Sequence, residues 1–396
     1  MRHSLIPRSR IEDQRSSVAA GPDAAVLLVH DLSSQVVVMG RRMDVIARNS
    51  LAAALITDFG QVPERRRNYV RILFTDPATP CRRHRPTDPA APPRRDVHRL
   101  SSCQDNSGTG DTMRKEAVRY LRCPHCCDDA MTMADGALRC SQGHSFDVAK
   151  QGYVNLLRGA AKFSADTAEM VAARADFLAA GHFAPIAGAL AALARETAPA
   201  PTGGDPGCVV DIGGGTGYHL ARVMSEFPGS EGVLLDISKF AARRAARAHP
   251  RISAVVADAW DGLPFADGAA SVVLNVFAPR NPAELRRMLR PEGVLLVVTP
   301  RPDHLRELVE ALGLLRVDEQ KDERLADRFS AHFTEVARER SRSTMTLDHQ
   351  AVPRLVGMGP NAWHQHGERL RERVALLPEP CDVTLSVTLT AYRPLV

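Results

Sequence analysis

Beyond residue 200 the chain alternates short, mostly apolar runs with longer amphipathic stretches. The runs are Cys208–Ile212, Gly232–Leu235, Ile252–Val256, Ser271–Val276 and Val294–Thr299. Consecutive apolar positions read as strands buried on both faces. Helical stretches from about His219, at Lys239–Ala248 and at Ala283–Leu289 lie between them. Strands alternating with helices predict an α/β domain on a parallel sheet. Asp382–Tyr392 alternates strictly instead, which predicts a late antiparallel strand at the sheet edge. Upstream, Ala130–Met133 and Ala137–Arg139 flank Asp135-Gly136 and predict a small hairpin. Residues 1–112 hold only short apolar pieces, Ala24–His30, Gln35–Met39 and Leu51–Thr57, and then an Arg/Pro tract, Pro63–Arg99.

This pattern divides the chain into a leading segment 1–112, a small module 113–160 and an α/β domain 161–396. With 44% apolar and 24% charged residues, the 396-residue chain cannot be disordered throughout. No apolar run reaches the roughly 18–20 residues of a membrane span, and no signal-peptide profile opens the chain, so a cytoplasmic protein is expected. The net charge of +5 sits entirely in the leading segment, which has 17 Arg against 12 acidic residues; the remainder has 34 of each sign. That balance does not by itself announce a nucleic-acid enzyme. An Arg/Pro tract cannot bury enough surface to offset its conformational entropy. The leading segment is therefore expected to be a poorly ordered extension or the product of an upstream start, with a phosphate-contacting arm as the other reading. Met113 opens the first strong motif.

Four of the eight cysteines crowd into 123–140, the spacing of a metal site rather than of a disulfide scaffold. Cys123-Pro-His-Cys126 and Cys140-Ser-Gln-Gly-His144 supply three thiolates and an imidazole, a full tetrahedral set for structural zinc. Cys127 is an awkward neighbour that could replace Cys126. A redox Cys-x-x-Cys would not need the second pair. Zinc suits a module too small to build a core of its own.

In the α/β domain, Asp211-Ile-Gly213-Gly-Gly215-Thr216-Gly217 carries a carboxylate ahead of its glycines. That order departs from the dinucleotide fingerprint, in which a helix N-terminus receives a pyrophosphate. S-adenosylmethionine has no phosphate and a cationic methionine part, so an early carboxylate suits it. Asp236 ends the next strand, where a carboxylate meets ribose hydroxyls, and Asp258 follows the third, within reach of an adenine amino group. A generic nucleotide-binding Rossmann domain is the plainer alternative. The expected fold is a class I, Rossmann-like, S-adenosylmethionine-dependent methyltransferase behind a zinc-ribbon-like module.

The two knuckles resemble those of RlmA-type 23S rRNA (guanine-N1-)-methyltransferases, a family with macrolide-resistance members. So do Phe146-Asp-Val-Ala-Lys-Gln-Gly-Tyr-Val-Asn-Leu-Leu157, Arg174–Pro185, Leu263-Pro-Phe265, Phe277-Ala-Pro279 and Met358-Gly-Pro-Asn-Ala-Trp363. The resemblance covers about 115–396 and leaves 1–112 without a counterpart. It implies that Cys123, Cys126, Cys140 and His144 bind zinc. It also places Phe183, Gly215, Thr216 and His304 against the cofactor and Asp236 on the ribose. It further implies a hairpin loop of 23S rRNA as substrate, and a homodimer. Gly214, Thr216, Asp258 and Phe277 depart from residues common in relatives. A zinc-containing methyltransferase of tRNA or a small natural product, and a cofactor-binding protein without turnover, are the competing readings.

Guanine N1 carries a proton that must be accepted at some stage. Asn275, ending the fourth strand, could hydrogen-bond the base edge but cannot be a base. His304, after the fifth, could accept the proton or touch the cofactor. Arg280 and Arg301 sit beyond the same strand ends, at the expected substrate rim. The zinc module contributes Arg114, Lys115, Arg119, Arg122, Arg139, Lys150 and Arg158 as basic candidates for RNA.

Overall fold

The computed structural model describes residues 37–39, 45–48, 113–159, 165–199, 206–315, 317, 326–359 and 367–395. The chain divides into two compact units, 1–92 and 93–396. Of the first, two strands are described, β1 (Val37–Met39) and β2 (Val45–Arg48), which pair antiparallel. The Arg/Pro tract and most of the leading segment lie outside the described residues, as does Gly-Pro-Asn-Ala-Trp363 from Pro360 on.

The second unit opens with α1 (Lys115–Val118) and a three-stranded antiparallel sheet of β3 (Thr132–Ala134), β4 (Ala137–Arg139) and β5 (Ser145–Asp147). The expected hairpin is β3–β4. Strand β6 (Tyr153–Asn155) leads to helices α2 (Ala168–Ala179) and α3 (Ala184–Thr197). The α/β alternation follows as β7 (Cys208–Ile212), α4 (Tyr218–Met224), β8 (Glu231–Asp236), α5 (Lys239–Ala245), β9 (Ile252–Val256), β10 (Ala270–Val276), α6 (Pro282–Met288) and β11 (Leu289–Pro300). Last come α7 (Arg306–Leu312), β12 (Phe333–Leu347), α8 (Ala351–Gly357), α9 (Gly367–Val374) and β13 (Cys381–Pro394).

Eight strands form one sheet in the order β12-β13-β11-β10-β7-β8-β9-β6. Strands β6 to β11 pair parallel, and β13 and β12 run antiparallel. Alternate residues serve opposite faces. Val209, Leu234, Ala254, Val272 and Leu296 pack under α2 to α5, whereas Val210, Val233, Val255, Val273 and Leu295 pack under α6 and the segment around α1. Side-chain caps fix several helix starts: Thr167 receives the Met170 amide, Ser238 that of Ala241, and Asn281 that of Glu284.

Two expectations need correction. Strand β13 is antiparallel as expected, but it is not an edge, because β12 pairs with it from Phe333↔Pro394 to Leu347↔Cys381 and becomes the edge. Strand β11 begins at Leu289, and Arg290-Pro-Glu-Gly293 bulges out between the paired positions Leu289 and Val294.

The zinc-ribbon-like segment is built into the large sheet. Strand β6 pairs with β9, Leu121 bridges to Phe265, and the Arg122 amide donates to the Pro264 carbonyl. The Arg114 guanidinium clasps both oxygens of Glu231 at 2.7 and 3.1 Å. Tyr120, Leu121, Cys123 and Leu156 share one buried cluster with Val210 and Leu235.

Candidate functional site

The knuckles converge. Ligand atoms of Cys123, Cys126, Cys140 and His144 all lie within 4.8 Å of one another, and Cys127 is not among them. Cys126 Sγ is 3.7 Å from Cys140 Sγ; His144 Nδ1 is 3.3 Å from Cys140 Sγ and 3.6 Å from Cys123 Sγ. Tetrahedral zinc with ordinary bond lengths separates two sulfurs by about 3.8 Å and a sulfur from a nitrogen by about 3.6 Å. The donor set therefore fits one zinc ion, with no coordination position left open for catalysis. Amides of His125 and Cys126 hydrogen-bond the Cys123 sulfur, and those of Gln142 and His144 the Cys140 sulfur. Gly143 takes a φ of +85°, which the second turn requires. The sequence reading missed Asp128. Its two carboxylate oxygens accept the Ala130 and Ser141 amides at 3.0 and 2.7 Å and so tie the first knuckle to the second. The Ser141 side chain foremost, and then these two amides, hold its carboxyl below the usual range.

Asp211, the glycine loop, Asp236 and Asp258 lie together at the carboxyl ends of β7, β8 and β9, where an open α/β sheet binds its ligand. Gly213 and Gly215 have φ of +69° and +59°, and Gly217, at +83°, begins α4. Asp236 is buried, and its oxygens accept the Gly215 amide at 2.9 Å and the Ser238 amide at 2.8 Å. Burial pushes its carboxyl up in spite of these bonds. Asp258 is buried and accepts the Trp260 amide.

Asp211 is the unusual member. It is fully buried, and neither carboxylate oxygen has a hydrogen-bond partner among the described residues. Burial and then the nearby Asp236 push it up to about 8. An orphaned buried carboxylate beside a glycine loop fits the ammonium group of a methionine moiety, because a cation would supply what it lacks.

The remaining sequence candidates separate by role. Phe183 is buried edge-on to Phe177 and 6.3 Å from Phe277, which is 5.9 Å from His304. These rings line the ends of β10 and β11. Phe277 and Leu305 carry φ of +53° and +57°, backbone strain of a kind that collects at functional sites. The Ser386 amide donates to His304 Nδ1 at 3.2 Å, and burial lowers this imidazole to about 4. His304 is therefore neutral near pH 7, with its proton on Nε2, which makes it a donor rather than a base. Asn275 is engaged at both ends: Nδ2 donates to the Pro279 carbonyl and Oδ1 accepts from Arg280 Nε. It shapes the 276–280 turn, and Arg280 is tied to the same group. Thr216 faces a groove between α2, α4 and α5.

Arg174 also escaped the sequence reading as a site residue. Its guanidinium reaches Asp166 at 2.6 Å and the Met358 carbonyl at 2.5 Å, and it lies over Gly215. In the zinc-binding segment three of the seven basic candidates are engaged in ion pairs: Arg114 by Glu231, Arg122 by Asp129 and Asp267, Arg139 by Asp135.

Residues 121–165 match the family model for the RlmA N-terminal region, and 209–293 match a methyltransferase domain. Residues 22–102 match the ligand-binding domain of MmyB-like transcription regulators, so the leading segment resembles a family of its own. A 23S rRNA (guanine(748)-N(1))-methyltransferase of Streptomyces fradiae is 61% identical over 72% of this chain and its own whole length. A putative 23S rRNA (guanine-N(1)-)-methyltransferase of Micromonospora griseorubida is 51% identical with the same coverage. A putative enzyme of that name from Bacillus subtilis is 34% identical over 67% of this chain and 94% of its own. With a zinc-ribbon segment joined to an S-adenosylmethionine cradle, and relatives matched along their full length, the chain belongs to the 23S rRNA (guanine-N1-)-methyltransferase family.

Proposed function

We propose that the protein methylates N1 of a guanine in a hairpin loop of 23S rRNA, with the 113–396 portion as its catalytic unit and 1–112 outside it. The observation that carries this reading is the Cys₃His cluster seated on the same sheet as the cofactor cradle, in a chain 61% identical to an enzyme of that activity. Cys123, Cys126, Cys140 and His144 hold the structural zinc. Asp211 holds the methionine ammonium, Asp236 the ribose hydroxyls and Asp258 the adenine. Gly213, Gly215, Thr216 and Gly217 form the loop around the methionine part, and Phe183 and His304 border it. No single described helix is long and apolar enough to cross a membrane, and rRNA as substrate suits a cytoplasmic enzyme, acting as a monomer or a homodimer.

S-adenosylmethionine supplies an electrophilic methyl group. The chain's part is positioning, which accounts for much of the rate in such displacements. The exposed Phe277 offers apolar surface for an extruded base, with the buried Phe183 behind it, and the neutral His304 can donate from Nε2 to a carbonyl oxygen. Extrusion of the guanine requires a few kcal/mol, which binding of the flanking RNA must offset.

Primer extension on large-subunit rRNA tests the proposal, because a methyl on guanine N1 blocks reverse transcription. A stop lost on gene deletion and restored by this protein is expected. Methylation of tRNA alone, or of no RNA, would overturn it.

A further inference from the structure

A groove beside the cofactor cradle lies between α2, α4 and α5 and has a volume of about 880 Å³. Its floor is apolar, built from alanines, Val171 and Leu178, and no acidic side chain lines it. Its rim carries Arg222, Arg243, Arg244 and Arg247, all exposed. Arg222 pairs with Glu226 at 2.8 Å. Arg243 and Arg244, by contrast, form no ion pair among the described residues. Two aromatic rings complete the groove. Tyr218 is half-buried at the start of α4, and Phe240 on α5 is 37% exposed, with the Lys239 ammonium 5.3 Å from its ring centre. Thr216 contributes one wall, so the groove opens beside the cofactor loop.

We propose that this groove is a docking site for the RNA substrate, taking a single-stranded stretch that flanks the methylated loop. The inference rests on the rRNA reading above and names a surface for it. Charge complementarity selects the occupant. Unpaired arginines two to a helix turn suit successive phosphates, whereas a groove without a carboxylate has nothing for a cationic partner. An exposed ring such as Phe240 beside such arginines forms a stacking platform on which an unpaired base rests. The arrangement also answers a difficulty of charge. Residues 113–396 have no net basic excess, and Arg114, Arg122 and Arg139 of the zinc-binding segment are held in ion pairs. An enzyme of neutral charge can still grip RNA where unpaired cations sit side by side, as Arg243 and Arg244 do on α5.

The test is RNA binding by the full-length protein, measured by fluorescence anisotropy with a labelled hairpin transcribed from the methylated region of 23S rRNA. Arg243→Glu/Arg244→Glu should weaken binding at least tenfold at fixed salt. Arg243→Gln/Arg244→Gln should reduce the slope of log affinity against log salt by about 1.4–1.8, the release expected for two phosphate contacts. Phe240→Ala should weaken binding about fivefold or more through lost stacking. Calorimetric affinity for S-adenosylmethionine and zinc content should stay at wild-type values in all three, which shows that the fold is kept. Wild-type binding of the hairpin with both double variants within twofold of it would overturn the docking site alone. No binding of any RNA by the wild-type protein would overturn the site and the rRNA reading together.

Discussion

The backbone amide of Gly215 donates a 2.9 Å hydrogen bond to Oδ2 of Asp236, so the carboxylate at the end of β8 also anchors the loop that follows β7. Its other oxygen takes the Ser238 amide. A carboxylate offers about four acceptor positions, which leaves two for ribose hydroxyls. Asp236→Ala should therefore weaken S-adenosylmethionine binding by at least about tenfold, since one charge-assisted hydrogen bond alone contributes roughly 1.5–3 kcal/mol. Asp236→Asn, which keeps one acceptor for the loop, should fall between the two. Titration calorimetry decides this, and unchanged affinity in the alanine variant would contradict the assignment.

A side chain at Gly215 would intrude on the cofactor loop. The structure puts Arg174 in the way first: a β-carbon there would lie 3.2 Å from its Nη1, on a backbone with φ of +59°. Gly215→Val should accordingly lower the melting temperature before any cofactor is added, with left-handed strain of about 1–3 kcal/mol as the main cause. Arg174→Ala should restore only the steric part. Thermal unfolding of the single and double variants without ligand separates the two; a valine variant as stable as wild type would show that the loop adjusts freely.

Zinc removal should affect more than the knuckles. The buried cluster that holds Cys123 and Leu121 continues into Val210 and Leu235, and β6 is the last strand of the large sheet. Cys140→Ser should lose zinc and lower the melting temperature of 113–396 as one transition. A calorimetric scan with a separate early transition, and an unchanged main one, would mean that the zinc-binding segment unfolds alone.

Asp128 predicts a subtler effect. It joins the two knuckles without touching the metal position. Outer partners of this kind are typically worth 10–100-fold in metal affinity. Asp128→Ala should release zinc to a competing chelator about tenfold more readily than wild type, with the four ligands intact.

Much of this was legible because it rests on local chemistry. Cysteine spacing carried the zinc set, and carboxylates after apolar runs marked the strand ends of the cradle. Strand β12 was not legible. Thr334–Ser343 is largely exposed on both faces and rich in Arg and Glu, so it carries no apolar alternation; main-chain pairing to β13 makes it a strand. Arg174 was hidden for a different reason. Its partners Asp166 and Met358 are far apart in sequence, and only the packing of α8 on α2 brings them together. Asn275 looked chemical because it ends a strand at the site, and only the structure shows its amide bound to the turn it supports.

Cofactor binding should release a proton. Burial and Asp236 raise Asp211 to about 8, so in the free protein it is mostly protonated at pH 7. Unfolded, it would titrate near 3.9. Between pH 4 and 8 the folded chain thus binds more protons than the unfolded one at this group, and its contribution to stability falls as pH rises through that window. A methionine ammonium beside Asp211 favours the carboxylate and lowers its pKa, so binding at pH 7 expels up to one proton. Affinity for S-adenosylmethionine should then rise from pH 6 to 8 and level off above. Calorimetry at pH 7 in phosphate and in Tris, whose ionisation heats differ, should give different apparent enthalpies. The difference should vanish in Asp211→Asn, which cannot ionise. Equal heats in the two buffers for the wild-type protein would mean that the orphaned carboxylate does not face the cofactor's charge.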